Sequence, residues 1–155
     1  MNFAADDIDQ LMAVMAAAFD PAFGEAWSRR QVEDALVVGR CSYRLICAAG
    51  GNPEAGAAAA GFYLSRTAFD EEELLLLAVD PSARRRGLGQ TLIDWLRTDA
   101  RERGARRLLL EMRRGNPAER LYCRNGFAVI GERPGYYQKP DGQRTDAITF
   151  SCQLD

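Results

Sequence analysis

Apolar positions lay out the elements of this chain. Ile8, Leu11, Met12, Met15 and Phe19 recur at helical spacing, which predicts an amphipathic helix over 6–19 that Pro21 and Gly24 break. Ser28 is placed to cap a second helix over 29–38, ending near Gly39. Residues 42–49 read as a strand, and Gly50-Gly51-Asn52-Pro53 as a turn. The composition of 56–66 is ambiguous, but its place after a turn favours the return strand of a hairpin. Residues 72–79 make a further strand. Leu88, Leu92, Trp95 and Leu96 then share one face of a helix over 87–103, which stops before Gly104. A strand over 107–112 leads to a helix over 117–125, with Pro117 in its first turn. Two last strands, 127–132 and 144–153, flank a loop reading PGYYQKPDGQ. Helices and strands in this order predict an α/β (α+β) fold, a mixed sheet covered by helices.

The junction at 74–93 is the most informative stretch. An apolar run, Leu74 to Val79, ends at Asp80-Pro81, and Arg84-Arg85-Arg86-Gly87-Leu88-Gly89 opens the next helix. The first N–H groups of a helix lack partners and converge on one spot, and glycines let backbone approach a ligand closely. The ligand such a turn suits is a phosphate or pyrophosphate. A P-loop needs Gly-Lys-Ser/Thr, and Gly89-Gln90-Thr91 stands here instead. A dinucleotide fingerprint needs a third glycine, where Leu92 stands. The bland alternative is a basic helix start in an ordinary α/β domain.

Composition narrows the class. The 155 residues suit one domain over 1–155, and 47% apolar with 27% charged residues is ordinary for a soluble globular chain. No apolar run suggests a membrane span, and the acidic start MNFAADDIDQ does not resemble a signal peptide, so cytoplasm is the default expectation. Cys41, Cys47, Cys123 and Cys152 form no Cys-x-x-Cys pair and there is no histidine, which argues against a metal site and for free buried thiols. Residues 1–80 hold 5 basic and 13 acidic side chains, whereas 81–146 hold 15 basic and 8 acidic. A basic second half fits a polyanionic cofactor. Nucleic acid is the competing partner, weakened by the acidic first half and by the lack of a recognisable nucleic-acid motif.

Glu111 lies near the end of an apolar strand, an unusual place for a carboxylate unless it has a partner, water or a function. A salt bridge to Arg113 or Arg114 is the structural alternative. Tyr122 follows on the next helix, where a packed core tyrosine is the ordinary expectation. Chemistry that takes one proton from a substrate and returns another needs a base and an acid. With no histidine in the chain, a shielded Glu and a Tyr are chemically sensible for the two tasks.

Arg84-x-x-Gly87-x-Gly89 closely resembles the acetyl-CoA loop of the GCN5-related N-acetyltransferase (GNAT) superfamily. Residues 73–150 are similar to its ribosomal-protein-alanine N-acetyltransferase branch. The resemblance is carried by Glu111-Met112-Arg113-x-x-Asn116, by Leu121-Tyr122 with Gly126-Phe127, by Arg133 with Tyr136-Tyr137, and by Asp141-Gly142 with Asp146-Ala147-Ile148. Ala26-Trp27-Ser28 adds a weaker match. Asn116 and Tyr122 stand one position closer together than in that branch.

The resemblance implies a mostly antiparallel sheet with about four helices. It implies Glu111 as general base and Tyr122 as general acid. Leu77, Ala78 and Val79 would pair with the pantetheine arm of acetyl-CoA, and the backbone of Arg85, Arg86, Gly87, Leu88, Gly89 and Gln90 would hold its pyrophosphate. Asn116 would contact the same cofactor, and Tyr136 and Tyr137 would flank the acceptor. The implied activity is acetyl transfer to a primary amine, foremost the N-terminal alanine of a small-subunit ribosomal protein, with no metal, nucleic acid or membrane involved. Another amine (a lysine, polyamine or drug) and a non-catalytic acyl-CoA-binding module are the alternatives.

Overall fold

The computed structural model describes residues 5–54 and 57–154. Helix α1 (Ala5–Ala18) is followed by a 3-10 turn (Pro21–Phe23) and helix α2 (Arg29–Val38). Ser28 and Gln31 cap α2 reciprocally, each side chain bonding the other's backbone N–H at 3.2 and 2.7 Å. Strands β1 (Cys41–Ile46), β2 (Gly61–Ala68) and β3 (Glu71–Val79) form a meander. Helix α3 (Leu88–Glu102), strand β4 (Arg107–Arg113), helix α4 (Glu119–Arg124) and strands β5 (Ala128–Gln138) and β6 (Arg144–Gln153) complete the chain.

The six strands form one sheet in the order β1-β2-β3-β4-β6-β5. Every neighbouring pair is antiparallel except β3 and β4. Four α-helices cover it, as expected. One face packs Ile8, Leu11, Met15, Val32 and Leu36 of α1 and α2. The other packs Leu88, Leu92, Ile93 and Leu96 of α3 with Tyr122 and Phe127. Trp95 lies at the margin of that face, under the Arg44 guanidinium at 3.8 Å.

The structure shifts several expected boundaries. β1 ends at Ile46 because the chain turns there, with the Cys47 N–H bonded to the Gly51 carbonyl at 2.8 Å. β2 starts at Gly61, and Gly56, the expected start, lies outside the described residues. Helix α4 begins two residues after Pro117. The Asn116 side chain accepts from the Ala118 N–H at 2.9 Å and closes a turn that holds Pro117 outside the helix.

The expected PGYYQ loop is instead the second half of β5. Pro134 is tolerated because β5 is an edge strand, and Asp146 takes the Gly135 N–H at 2.9 Å. All four cysteines are free, but only Cys41 and Cys152 are buried; Cys47 is half-buried and Cys123 exposed. No described helix is long and apolar enough to cross a membrane.

Candidate active site

The two parallel strands stay together only briefly. Glu71–Leu74 of β3 pair with Arg107–Leu110 of β4, and there the pairing stops. β3 continues along β2 to Val79, while β4 continues along β6 to Arg113. The parting coincides with a bulge. Leu64 of β2 faces Leu76 and Ser65 faces Leu74, so Leu75 is an extra residue in β3. One extra residue switches the face presented: Leu74 packs with α3 and α4, whereas Leu76 and Ala78 pack with α1 and α2. From Leu75 onward the β3 edge facing β4 has no strand partner, so its backbone can pair with an extended ligand.

Two clefts open into this wedge and share a wall. The larger, about 480 Å³, is lined by Leu77, Ala78, Val79, Gly89 and Leu121. The smaller, about 330 Å³, is lined by Glu111, Met112, Trp27 and Tyr137. Phe23, Glu25, Leu77, Asn116 and Tyr122 line both. The wedge thus brings together the sequence-predicted residues of the strand, Glu111, Asn116, Tyr122 and Tyr137.

The turn after β3 is fixed by its own side chains and leaves the first amides of α3 free. Asp80 caps it, accepting from the Ser82 N–H at 2.9 Å and its hydroxyl at 2.7 Å. Arg85 and Gly87 take the left-handed conformation, at φ +66° and +77°. The first intrahelical bond of α3 runs from the Thr91 N–H to the Gly87 carbonyl at 3.0 Å, which leaves the N–H groups of Leu88, Gly89 and Gln90 without helical acceptors. Arg84, Arg85, Arg86 and Gly87 are exposed, whereas the Leu88 side chain is buried and anchors the turn. A Cβ on Gly89 would sit 3.1 Å from Leu121, so this glycine permits the close approach of α3 to α4. The Gln90 side chain is committed to Asn125 through paired amide bonds of 2.7 and 2.9 Å, which leaves its backbone for a ligand. A pyrophosphate joined to an extended arm along β3 fits this arrangement.

The proton handlers differ in how far the protein satisfies them. Both contacts to Glu111 fall on one oxygen, from the Thr149 hydroxyl at 3.1 Å and the Arg133 guanidinium at 3.2 Å. Its other oxygen has no partner among the described residues. The expected alternatives, Arg113 and Arg114, pair elsewhere, with Glu25 and with Glu132 and Asp146. Arg133 stands opposite Ala147 of β6, two residues from Thr149, the cross-strand partner of Glu111, and its side chain reaches across β6 to the carboxylate.

Tyr122 is 7% exposed, and no described residue bonds its hydroxyl, yet that oxygen is not sealed from the cleft. Burial, aided by Glu25, holds its pKa well above the ordinary tyrosine value. Burial, with smaller contributions from Glu111 and Glu25, pushes Tyr137 up to about 12. Tyr136 does not line either cleft. It packs edge-on against Tyr137 and lies under the Arg133 guanidinium at 4.8 Å.

Sequence reasoning missed Glu25 and Phe23. They lie in the segment between α1 and α2, where no periodicity marks them. Arg113 ties that segment to β4, bonding Glu25 at 3.1 Å and stacking over Phe23 at 3.6 Å.

The two parallel strands thus part above a helix start whose first amides lack helical acceptors. The chain belongs to the acetyltransferase (GNAT) domain family, whose family model matches residues 37–129. It is similar to the [ribosomal protein bS18]-alanine N-acetyltransferases of Haemophilus influenzae, at 36% identity over 94 residues, and of Escherichia coli, at 40% over 96. Each match covers 61% of this chain and 64% of the relative, so it spans just under two thirds of those proteins' length. The crystal structure of the ribosomal-protein-S18-alanine N-acetyltransferase from Escherichia coli superposes with a TM-score of 0.80 at 28% identity, covering 100% of this chain and 92% of that one.

Proposed function

We propose that this chain is an acetyl-CoA-dependent N-acetyltransferase and that its acceptor is the N-terminal alanine of a small-subunit ribosomal protein. The observation that carries the chemistry is the shared wall. Tyr122, whose hydroxyl bonds no described residue, lines both clefts, and Glu111, with one oxygen unbonded among the described residues, lines the smaller one. The names of the relatives support the acceptor.

Acetyl-CoA supplies the activated acyl group as a thioester. The free edge of Leu77, Ala78 and Val79 holds its pantetheine arm, and the amides of Arg85–Gln90 hold its pyrophosphate. Asn116 spends its side-chain oxygen on Ala118 and keeps its amide hydrogens for the cofactor. The α-amine arrives largely as an ammonium, with a free pKa of about 7.7–8.0. The open oxygen of Glu111 takes its proton, while Thr149 and Arg133 fix the carboxylate. Tyr122 retains its proton at neutral pH and gives it to the departing thiolate. The acetyl group passes directly to the amine in a ternary complex, with coenzyme A leaving as the thiol.

The test is thiol release from acetyl-CoA with an alanyl peptide, a lysyl side chain, a polyamine and an aminoglycoside side by side. The alanyl peptide is expected to give the highest kcat/KM, with mass spectrometry placing the acetyl on its α-amine. A faster small amine would replace the ribosomal acceptor. Binding of acetyl-CoA without turnover of any amine would leave an acyl-CoA-binding module.

A further inference from the structure

We infer that Glu25 is a specificity-determining residue of the acceptor cleft: with Glu111 it receives an acceptor that enters as a cation. The inference rests on the transferase reading above. The segment carrying Glu25 is pinned over the wedge from both sides. The Phe23 ring meets Arg113 at 3.6 Å and the Lys139 ammonium at 5.8 Å. Gly24, at φ +63°, packs so near the tip between β5 and β6 that a Cβ would lie 3.4 Å from Pro140. Glu25 is thereby held between α1 and α2 at the junction of the clefts, with its side chain 21% exposed.

Its bonding leaves capacity for a ligand. The contact with Arg113 uses one oxygen, and no described residue bonds the other. A carboxylate accepts about four hydrogen bonds. The neighbouring Tyr122 hydroxyl, on a side chain more than nine-tenths buried, is also unpartnered and opens on the same junction. Glu25 and Glu111 line one cleft together. Their counter-ions are occupied elsewhere as well: Arg113 stacks on Phe23, and Arg133, 59% exposed, lies over Tyr136. The two free oxygens suit an ammonium. Glu25 holds its charge as it enters, and Glu111 removes the proton.

The experiment compares binding of two hexapeptides to the full chain in the presence of coenzyme A. One begins with alanine, and the other carries a propionyl group in its place, so that they differ by the ammonium alone. The parent is expected to prefer the alanyl peptide. Glu25→Gln is expected to cut that preference by about tenfold or more, the range for a hydrogen bond to a charged group, while the melting shift given by acetyl-CoA persists. Arg113→Lys keeps a cation beside Glu25 to hold its segment and is expected to keep the preference. An unchanged preference in Glu25→Gln overturns the inference. So does an equal loss in both variants, which would reduce Glu25 to an anchor for its segment. A parent that binds no acetyl-CoA defeats the transferase reading, and this inference with it.

Discussion

Glu72 and Glu111 lie on the two parallel strands, one before they part and one after. Glu72 is fully buried, and both its oxygens are satisfied. Arg103 forks onto it, and the hydroxyls of Ser65 and Thr67 donate at 2.6 and 3.2 Å. Glu111 keeps 17% of its side chain exposed and leaves one oxygen open to a cleft. Burial alone therefore does not mark a working carboxylate. What separates the two is unfinished bonding beside a cavity. A buried charge left half satisfied carries a cost, and that cost is tolerated where a ligand completes the set.

The comparison predicts opposite responses to similar substitutions. Glu72→Ala strands Arg103 and two hydroxyls, and urea unfolding is expected to show a loss of about 3–5 kcal/mol. Acetyl transfer per folded molecule should stay near the parent's. A stability loss under about 1 kcal/mol would mean that this network is dispensable.

At the open end, Gly89→Glu places bulk and negative charge on the anion cradle. The melting shift with acetyl-CoA, worth about 2.7 kcal/mol at a hundredfold excess over Kd, is expected to vanish. A retained shift would move the cofactor elsewhere.

Tyr122→Phe removes a hydroxyl that bonds no described residue. The melting temperature should hardly move, while transfer slows by about tenfold to a hundredfold. A variant that loses stability but keeps its rate would make Tyr122 a packing residue.

The smallest effect concerns alkaline pH. Burial raises Tyr137 from an ordinary value of 10.0 to about 12, so the folded state holds that proton more tightly than the unfolded chain. Its contribution is complete below about pH 10 and is lost as pH rises toward 12. Tyr137→Phe should make the alkaline fall in stability shallower. An identical pH profile would place the Tyr137 hydroxyl in water.

The strand, turn and helix of the proposed cofactor end were legible in the sequence because their signals are local. Strand, basic glycine turn and helix follow one another within twenty residues or so, and glycine positions report backbone conformation directly. The acceptor end was less so. The bulge at Leu75 hides inside an apolar run with no period to break. The pairing of Glu111 with Arg133 depends on two strand registers, which spacing along the chain does not encode. Tyr136 and Tyr137 looked equivalent in sequence, yet alternation along β5 turns only Tyr137 into the cleft. Pro134 and Gly135 suggested a loop, but an edge strand accommodates both. Glu25 carried no signal, because its place comes from contacts of a connecting segment with Arg113 and Pro140.

On the proposed mechanism the open oxygen of Glu111 takes the proton of the acceptor. Single-turnover acetyl transfer to an alanyl peptide, with both substrates saturating near neutral pH, tests it most directly. Glu111→Gln keeps the shape of the side chain and removes the acceptor charge. The expected result is a rate about 10²–10⁴ below the parent's, with the acetyl-CoA melting shift intact. A rate within twofold of the parent's would contradict the claim and leave Glu111 a structural partner of Thr149 and Arg133.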